Sequence, residues 1–373
     1  MRITARSIFP AIILAYVVTA ITAIRVDACM PGRTTSAEEK AKDLAKDWPG
    51  FNHPLAFKVL IDGELVESYV PTNAYLTREQ MRDTNITTCG RPLTAFDTLA
   101  DRLQIGDGVL QPLGSMLLLG EVHDNATHHL MRSSLLVLFR AVLFEQIRAD
   151  QQPALDAFAA LPPETRATAD LTRLLDWDKT SWSKTSNYTP LFDAAVASKL
   201  PILAADPPRD LIRAAAKTGP SAIPAEERTR LGLDTPLSDA QNAASLAEIE
   251  GSHCGVIPKS AHPNMAFAQR YRDAHMADTL ITAAAKHGSA ILIAGNGHVR
   301  ADRGVPWYLR QRAPDKKIIS VLFVEVEDGK TDPADYVQRD ETGRPIADYL
   351  VFTPRAPRDK DPCEEMRAKV PKN

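Results

Sequence analysis

The stretch Leu117–His129 reads LLLGEVHDNATHH, and the interpretation of the surrounding chain follows from it. Three leucines predict a buried strand, a polar cluster follows at Gly120–Asn125, and the next residues have the pattern of a helix. A continuous apolar strand that runs directly into a helix is typical of a parallel sheet covered on both faces. In such sheets, ligands bind beyond the carboxyl ends of the strands, so the polar cluster marks a candidate site.

From about Thr94 onward, the chain repeats this alternation of apolar strands and helices. The predicted strands are Met116–Glu121, Ala141–Ile147, Pro201–Ala205, Ser289–Ala294 and Ile318–Val326, and the predicted helices lie near residues 126–139, 190–199, 208–217, 237–250 and 264–287. The segment Tyr349–Phe352 predicts an edge strand. The sequence therefore predicts an α/β fold with a mostly parallel sheet that helices cover on both faces.

The N-terminal region 29–92 is polar and rich in turn-forming residues, and it predicts a small appendage. Within it, Phe57–Ile61 and Glu64–Ser68 flank the dipeptide Asp62-Gly63, a strong signal for a two-residue hairpin turn. The length of 373 residues and the apolar fraction of 44% are sufficient for a large core. The remaining predicted units are an α/β domain at 93–355 and a charged tail at 356–373.

Residues 1–28 differ in composition from the rest of the chain. Two arginines precede an apolar run, Ile8–Ile24, whose basic start and short length predict an export signal; a single membrane-spanning anchor is the alternative. The residues before Cys29 resemble a degraded lipobox, in which Cys29 would carry a lipid after cleavage, although Asp27 departs from that pattern. We therefore expect a periplasmic or otherwise exported protein, either free or anchored to the membrane through Cys29.

The charge and the motif content argue against several classes of function. The formal net charge is −3, which argues against a protein that binds nucleic acid through phosphate contacts. The sequence contains no GxSxG, HExxH, P-loop or dinucleotide-binding motif. Its four cysteines lack zinc-site spacing. In an oxidising compartment we expect one disulfide, and Cys254 with Cys363 is the preferred pair because Cys29 is a candidate for lipidation.

A second polar cluster, Gly295–Arg300 (GNGHVR), follows the predicted strand that ends at Ala294. Its two glycines allow the backbone to turn sharply after the strand. Because the carboxyl ends of parallel strands meet at one edge of a sheet, this cluster and Gly120–Asn125 are expected to converge. The side chains expected to line one shared cavity are Glu121, His123, Asn296 and His298.

Other polar residues at this edge have a structural interpretation beside a functional one. Asp124 or Asn125 is suited to cap the next helix, and Asp206 is suited to cap another. Glu145 closes an apolar strand, either as a wall of the site or as an ordinary strand exit. The long helix carries a stripe that fits either a site wall or a buried Arg–Asp pair, formed by Met265, Gln269, Arg272, Asp273, Met276 and Leu280.

Taken in order along the chain, these elements resemble the ChaN-like family of the haem-binding uptake and Tiki superfamily. The resemblance covers roughly residues 95–355, with matching segments at Gly120–His129, the Glu145 strand, Trp177–Tyr188, Leu203–Arg209, His253–Gly255, Gln269–Ala277 and Gly295–His298. It implies an α/β fold like those of ChaN and erythromycin esterase. Members of this family are exported bacterial proteins or lipoproteins implicated in haem or iron uptake. Wider relatives are metal-dependent hydrolases with paired GxxH motifs, a pattern that both polar clusters fit.

The first function that the resemblance implies is haem binding. Haem or a related small molecule would occupy an apolar pocket, with Tyr188, Tyr271 or a histidine as the iron ligand and Met265 and Met276 against the porphyrin. A homodimer and an outer-membrane lipid anchor fit this interpretation. The residues expected to contact the cofactor are Glu121, His123, Asn125, His129, Tyr188, Gln269, Tyr271, Arg272, Met276, Asn296, His298 and Arg300.

The alternative that the resemblance implies is a metal-dependent hydrolase or protease. In that case His123 and His298 would bind a divalent metal such as zinc, and Glu121 would act as general base on the metal-bound water. An exported scaffold with a vestigial site is a third interpretation. No sequence feature separates haem binding from hydrolysis.

Overall fold

An eight-stranded sheet forms the centre of the protein in a computed structural model. The structure describes residues 46–61, 64–67, 114–133 and 135–368. The predicted export signal and Cys29 lie outside the described residues. The division of the chain into an appendage, a domain and a tail stays a prediction.

The sheet contains six parallel strands and one antiparallel hairpin. The strands are β1 (Lys58–Ile61), β2 (Glu64–Glu67), β3 (Ser115–Leu119), β4 (Val142–Arg148), β5 (Ile202–Asp206), β6 (Ser289–Ile293), β7 (Ile318–Glu325) and β8 (Tyr349–Thr353), in the spatial order β2-β1-β8-β7-β3-β6-β4-β5. The predicted α/β fold with a mostly parallel sheet is therefore confirmed. Strands β3 and β6 are neighbours, with Leu119 paired to Ile293, so the two polar clusters leave the sheet side by side.

The hairpin β1–β2 is hydrogen-bonded to the main sheet. Strand β1 pairs antiparallel with β8, which places Leu60 opposite Leu350. The prediction that Tyr349–Phe352 is an edge strand is therefore wrong, because β7 and β1 pair with its two sides. Sequence pattern alone did not show this, since a short apolar strand looks the same at an edge and inside a sheet.

Helices cover both faces of the sheet. They are α1 (Ala126–Ser133), α2 (Gln152–Ala159), α3 (Thr168–Leu174), α4 (Trp182–Thr185), α5 (Thr189–Ala197), α6 (Arg209–Thr218), α7 (Ala225–Leu231), α8 (Asp239–Ser252), α9 (His262–His287), α10 (Val305–Arg312) and α11 (Pro362–Ala368). The helix predicted at 126–139 is shorter, because Leu136–Leu138 form a separate 3-10 turn. Helix α9 ends at His287, and Gly288, whose φ of 95° favours glycine, turns the chain into β6.

The apolar side chains form two cores, one on each face of the sheet. Successive residues of a strand point to opposite faces. Leu117 and Leu119 therefore pack with α1 and α5 on one side, while Met116 and Leu118 pack with α9 on the other. This two-sided burial explains why the strands appear as continuous apolar runs in the sequence.

The C-terminal segment is tied to the carboxyl edge of the sheet. Arg358 forms ion pairs with Asp124 and with Glu325. Farther on, Cys363 in α11 forms a disulfide with Cys254, which confirms the predicted pair. In the part of the chain that the structure describes, no helix has the length and apolar character needed to cross a membrane.

Candidate functional site

A cavity of about 390 Å³ lies beyond the carboxyl ends of β3, β4 and β6. Its walls come from the turns after β3 and β6 and from helices α8 and α9. The two polar clusters converge as predicted. The four side chains that were expected to share one cavity all line it, namely Glu121, His123, Asn296 and His298.

A larger cavity of about 820 Å³ lies elsewhere, beside β7, β8 and helix α10. Asp348, one of its polar residues, accepts hydrogen bonds from the backbone N–H and the hydroxyl of Ser320. The smaller cavity instead concentrates buried titratable side chains with shifted pKa values. Titratable groups whose pKa values are shifted by burial and by specific charge partners in a cleft indicate a functional site, so we place the candidate site there.

Glu121 and His123 form a carboxylate–imidazole pair at the end of β3. The Nδ1 atom of His123 donates a hydrogen bond of 2.6 Å to Oε1 of Glu121. This contact orients the ring and leaves Nε2 as the unprotonated nitrogen when the imidazole is neutral. Burial lowers the pKa of His123, and the carboxylate of Glu145 only partly offsets that effect, so the imidazole is neutral near pH 7.

Glu121 itself is buried beneath the cavity and fully engaged. Its carboxylate accepts hydrogen bonds from the Tyr188 hydroxyl at 2.7 Å and the Gln146 amide at 3.0 Å, and it forms an ion pair with Arg132. Each of these partners is buried as well. The expectation that Glu121 acts as a general base on water does not fit this arrangement, since both of its oxygens already bind protein groups. Its position suits it to orient His123.

His298 lies between two carboxylates. Its Nδ1 donates to Asp273 at 2.6 Å, and its Nε2 faces Glu145 at 3.2 Å. Burial lowers the pKa of His298, but the two carboxylates, with Glu145 the larger, outweigh burial and raise the pKa to about 9. His298 is therefore an imidazolium at neutral pH, in contrast to the neutral His123.

Arg272 connects three elements at the floor of the cavity. Its guanidinium donates to Asp206 at the end of β5 and to Glu145 in β4, both at 2.7 Å. Burial alone would raise the pKa of Glu145, yet the charges of His298 and Arg272 hold it well below its usual range. Asp206 thus pairs with an arginine and does not cap a helix. The sequence had left both roles open for this residue.

The two GxxH motifs pack into each other. A side chain at Gly120 would collide with Oδ1 of Asn296, and one at Gly295 would lie 2.7 Å from Cε1 of His123. Asn296 also spans to β7, donating from its amide to the carbonyl of Phe323 at 2.7 Å. Each glycine therefore makes room for the polar residue of the other motif, which is a physical reason for glycine at both positions.

Replacing Gly120 by alanine is expected to destabilise the protein by about 1–3 kcal/mol, as overpacking does in well-packed cores. The new methyl group would displace Asn296 and approach the carbonyl of Val321. Gly251→Ala is the matched control, because its added methyl group would meet no atom within 4 Å outside the adjoining residues and backbone of α8, and within a helix it should stabilise the protein by about 0.5–1 kcal/mol. Urea unfolding of both variants measures the difference, and equal stabilities would contradict the interlocked packing.

Several residues predicted to contact a cofactor lie outside the cavity. Asn125 accepts a hydrogen bond from the Thr127 N–H at 3.0 Å at the start of α1. It therefore has the capping role that was the structural alternative for this residue. His129 is buried under His123, and burial lowers its pKa to about 3. Arg300 pairs with Asp302 instead of facing the site.

The tyrosine and methionine residues that were predicted to contact a cofactor also lie outside the cavity. Tyr188 is buried, and its hydroxyl is used by Glu121. Tyr271 and Met276 belong to the apolar core between α9 and the sheet and do not line the cavity. Gln269, Arg272 and Asp273 from the same helix do line it, so the stripe is a site wall over part of its length.

Other wall residues were missed at the sequence level. Glu248, Ser252 and His253 come from the last turns of α8 and its end. Trp182 packs its ring edge-on against His123, with ring centroids 4.9 Å apart. No local pattern marks Glu248 and Ser252, while Trp182 and His253 lie in segments that the family resemblance included.

The donor set does not fit the predicted divalent metal site. Among the described residues, no group of three His, Cys, Asp or Glu side chains is arranged to hold a metal ion. His298 has both ring nitrogens directed at carboxylates and a raised pKa, whereas a metal ligand needs a free lone pair on nitrogen. We derive no step through a metal bound by His123 and His298.

Comparisons with known proteins agree with the sequence resemblance. Residues 114–309, a little over half of the chain, match the family model described as "Haem-binding uptake, Tiki superfamily, ChaN". No curated protein matches the chain. One similar solved structure is described as cofacial heme binding to ChaN of Campylobacter jejuni, with 21% identity, 70% of this chain and 92% of that chain covered, and a TM-score of 0.49. Another is a mutant of the erythromycin esterase EreC in its open conformation, at 15% identity, 72% and 83% coverage and a TM-score of 0.32.

Proposed function

Because the chain belongs to the ChaN family of the haem-binding uptake, Tiki superfamily, we propose that it binds haem at the cavity between its two GxxH motifs. Family membership is the observation that carries this proposal. The cavity supports it by supplying a ligand-sized space where the polar residues of both motifs meet.

The open side of the cavity suits a planar macrocycle with a central metal. The His123 side chain is 38% exposed and contacts the indole of Trp182, so a nitrogen ligand and an aromatic surface lie together. Glu121 occupies Nδ1 of His123, so Nε2, which lies beside Gly295, is the nitrogen that would ligate iron. A carboxylate behind a metal-ligating imidazole is a common arrangement. His123 is therefore the iron ligand in this proposal, in place of the buried Tyr188 or Tyr271.

Replacing His123 by alanine is expected to weaken hemin binding more than tenfold, or by more than about 1.4 kcal/mol. Hemin titration followed at the Soret band measures the dissociation constant. The fold should be retained, because His123 is partly exposed and lies outside both apolar cores.

Tyr271→Phe is the matched control for a tyrosine ligand, since it removes one hydroxyl from a residue outside the cavity. We expect its hemin affinity and Soret spectrum to equal those of the unmodified protein. A spectrum that changes in Tyr271→Phe and stays constant in His123→Ala would reject the assigned ligand. Absence of a Soret shift in the unmodified protein would reject haem binding itself.

Export is part of the proposal and is supported by the composition of residues 1–28. We expect a cleaved chain in the periplasm, and mass spectrometry of the mature N-terminus from the native host is the measurement. A fragment that still contains Met1 would contradict export, while an acylated Cys29 would establish the lipid anchor. The homodimer likewise stays a prediction.

A further inference from the structure

The cavity of about 820 Å³ beside β7, β8 and α10 has a row of leucines as its floor. Leu60, Leu350 and Leu322 are direct partners across the neighbouring strands β1, β8 and β7, and all three line the cavity. Because strands lie about 4.8 Å apart, this row spans about 10 Å. Ile318 and Trp307 extend the apolar surface. The cavity therefore has the volume and the apolar lining of a small-molecule site.

The loop 337–347 forms another wall of this cavity. A β-bridge between Arg339 and Pro345 joins the two arms of the loop. The N–H of Ala301 donates to the carbonyl of Ile346 at 2.7 Å, which fastens the loop to the segment after β6. The sheet and a loop held by backbone hydrogen bonds therefore frame the space.

Two arginines that line this cavity form no ion pair with any residue in the described ranges. Arg310 of α10 donates to the carbonyl of Ala301 at 3.4 Å, and Arg339 donates to the carbonyl of Gly343 at 2.9 Å. Both residues are exposed. Because a guanidinium stays protonated in proteins, each carries a positive charge that can bind an anion.

The carboxylates that line the cavity already bind protein groups. Asp302 and Asp340 form ion pairs with arginines. Asp348 and Glu341 accept hydrogen bonds from serine hydroxyls. A bound cation would have to compete with these contacts, whereas an anion would meet two arginines that lack a carboxylate partner. The charge pattern therefore favours a ligand with one anionic group.

We propose that this cavity binds unbranched fatty acids of medium length, with the hydrocarbon chain on the leucine row and the carboxylate at Arg310 and Arg339. Burial of the chain removes apolar surface from water, and the gain grows with every methylene. The carboxylate can bind a guanidinium through two parallel hydrogen bonds. Among the described residues, none lines both this cavity and the one between the GxxH motifs, so the inference does not rest on haem binding.

Calorimetric titration of the delipidated protein with octanoate, decanoate and dodecanoate tests the proposal. We expect one binding site whose affinity rises about fourfold for each added methylene, equivalent to about 0.8 kcal/mol. Dodecanol and dodecyltrimethylammonium keep the chain and change the head group, and we expect both to bind at least tenfold more weakly than dodecanoate. Equal affinity for the three head groups, or an affinity that does not depend on chain length, would overturn the proposal.

Replacing Arg310 by glutamine is expected to weaken dodecanoate binding about tenfold, the effect of losing a hydrogen bond to a charged group, and to leave dodecanol binding unchanged. Arg213→Gln is the matched control, because Arg213 is an exposed arginine of α6 that does not line the cavity. Equal dodecanoate affinity in the two variants would reject the carboxylate site.

Replacing Val337 by tryptophan should fill part of the cavity and weaken dodecanoate and dodecanol alike. Unchanged affinities in a folded Val337→Trp protein would place the chain elsewhere and overturn the proposal. Circular dichroism shows whether this variant folds; if it does not, Arg310→Gln decides, because it changes an exposed side chain.

Hemin separates this inference from the haem proposal. The affinity for dodecanoate should be the same in hemin-loaded and haem-free protein. Loss of dodecanoate binding when hemin is added would place both ligands in one cavity and overturn a second site. A protein that binds dodecanoate and no hemin would contradict the haem proposal alone, and one that binds hemin and no fatty acid would contradict this inference alone.

Discussion

Replacing Glu145 by alanine is expected to destabilise the protein by about 3–5 kcal/mol, the cost of leaving buried charges without their partner. Its carboxylate contacts His298, Arg272 and the backbone N–H of Gly295, and all of it is buried. Removing it would leave an imidazolium and a guanidinium facing each other in a medium that screens charge weakly. Urea unfolding monitored by circular dichroism measures the change in the free energy of unfolding.

Asp278→Ala is the matched control, because it also removes a carboxylate that pairs with two arginines, Arg230 and Arg312. That cluster is about a quarter exposed on the Asp278 side, where solvent screens charge, and we expect a loss below about 1 kcal/mol. Similar losses in the two variants would contradict the prediction that burial of the Glu145 ion pairs increases the cost of removing the carboxylate.

Stability is expected to fall by about 3 kcal/mol as the pH rises from 6.5 to 9, owing to His298 alone. The folded-state pKa of His298 is raised to about 9, so its stabilisation is complete below the unfolded value of 6.5 and is lost above 9. Burial raises the pKa of Asp273 to about 6, so its own titration lies below this window. Unfolding free energies at half-unit steps of pH measure the slope.

His298→Gln should flatten this profile, because glutamine keeps a donor amide and does not titrate. The variant is expected to be less stable than the unmodified protein at pH 6.5 and to approach it at pH 9. A slope that survives the substitution would assign the pH dependence to other groups.

The sequence predicted the strands and the meeting of the two polar clusters for the same physical reason. Strands buried on both faces must be continuously apolar, and parallel strands must end at one edge. Gly120–Asn125 and Gly295–Arg300 therefore had to lie near one another once β3 and β6 were neighbours. The alternating pattern alone does not show which strands are neighbours. The family resemblance implies a fold, and that fold makes the pairing of β3 with β6 an expectation.

The sequence could not predict which residues of a helical stripe reach the cavity, nor where side chains lie beyond the end of a strand. Gln269, Arg272 and Met276 share one stripe of α9, yet only the first two reach the cavity, because the helix extends past it into the core. Residues two apart in a strand share a face, but Glu121 and His123 lie beyond the end of β3 at Leu119, where this rule no longer applies. The turn that follows Leu119 brings their side chains to 2.6 Å of each other, a contact that strand patterning cannot predict.

The reciprocal fit of the two glycines has a consequence for how this protein and its relatives diverge. Gly120 is matched to Asn296 and Gly295 to His123, across about 175 positions of chain, so a change in one motif is tolerated only with a compensating change in the other. We expect inherited substitutions at these four positions to occur in pairs. A homologue that has lost one glycine should also have lost its polar counterpart, and with it the ancestral chemistry of the cavity.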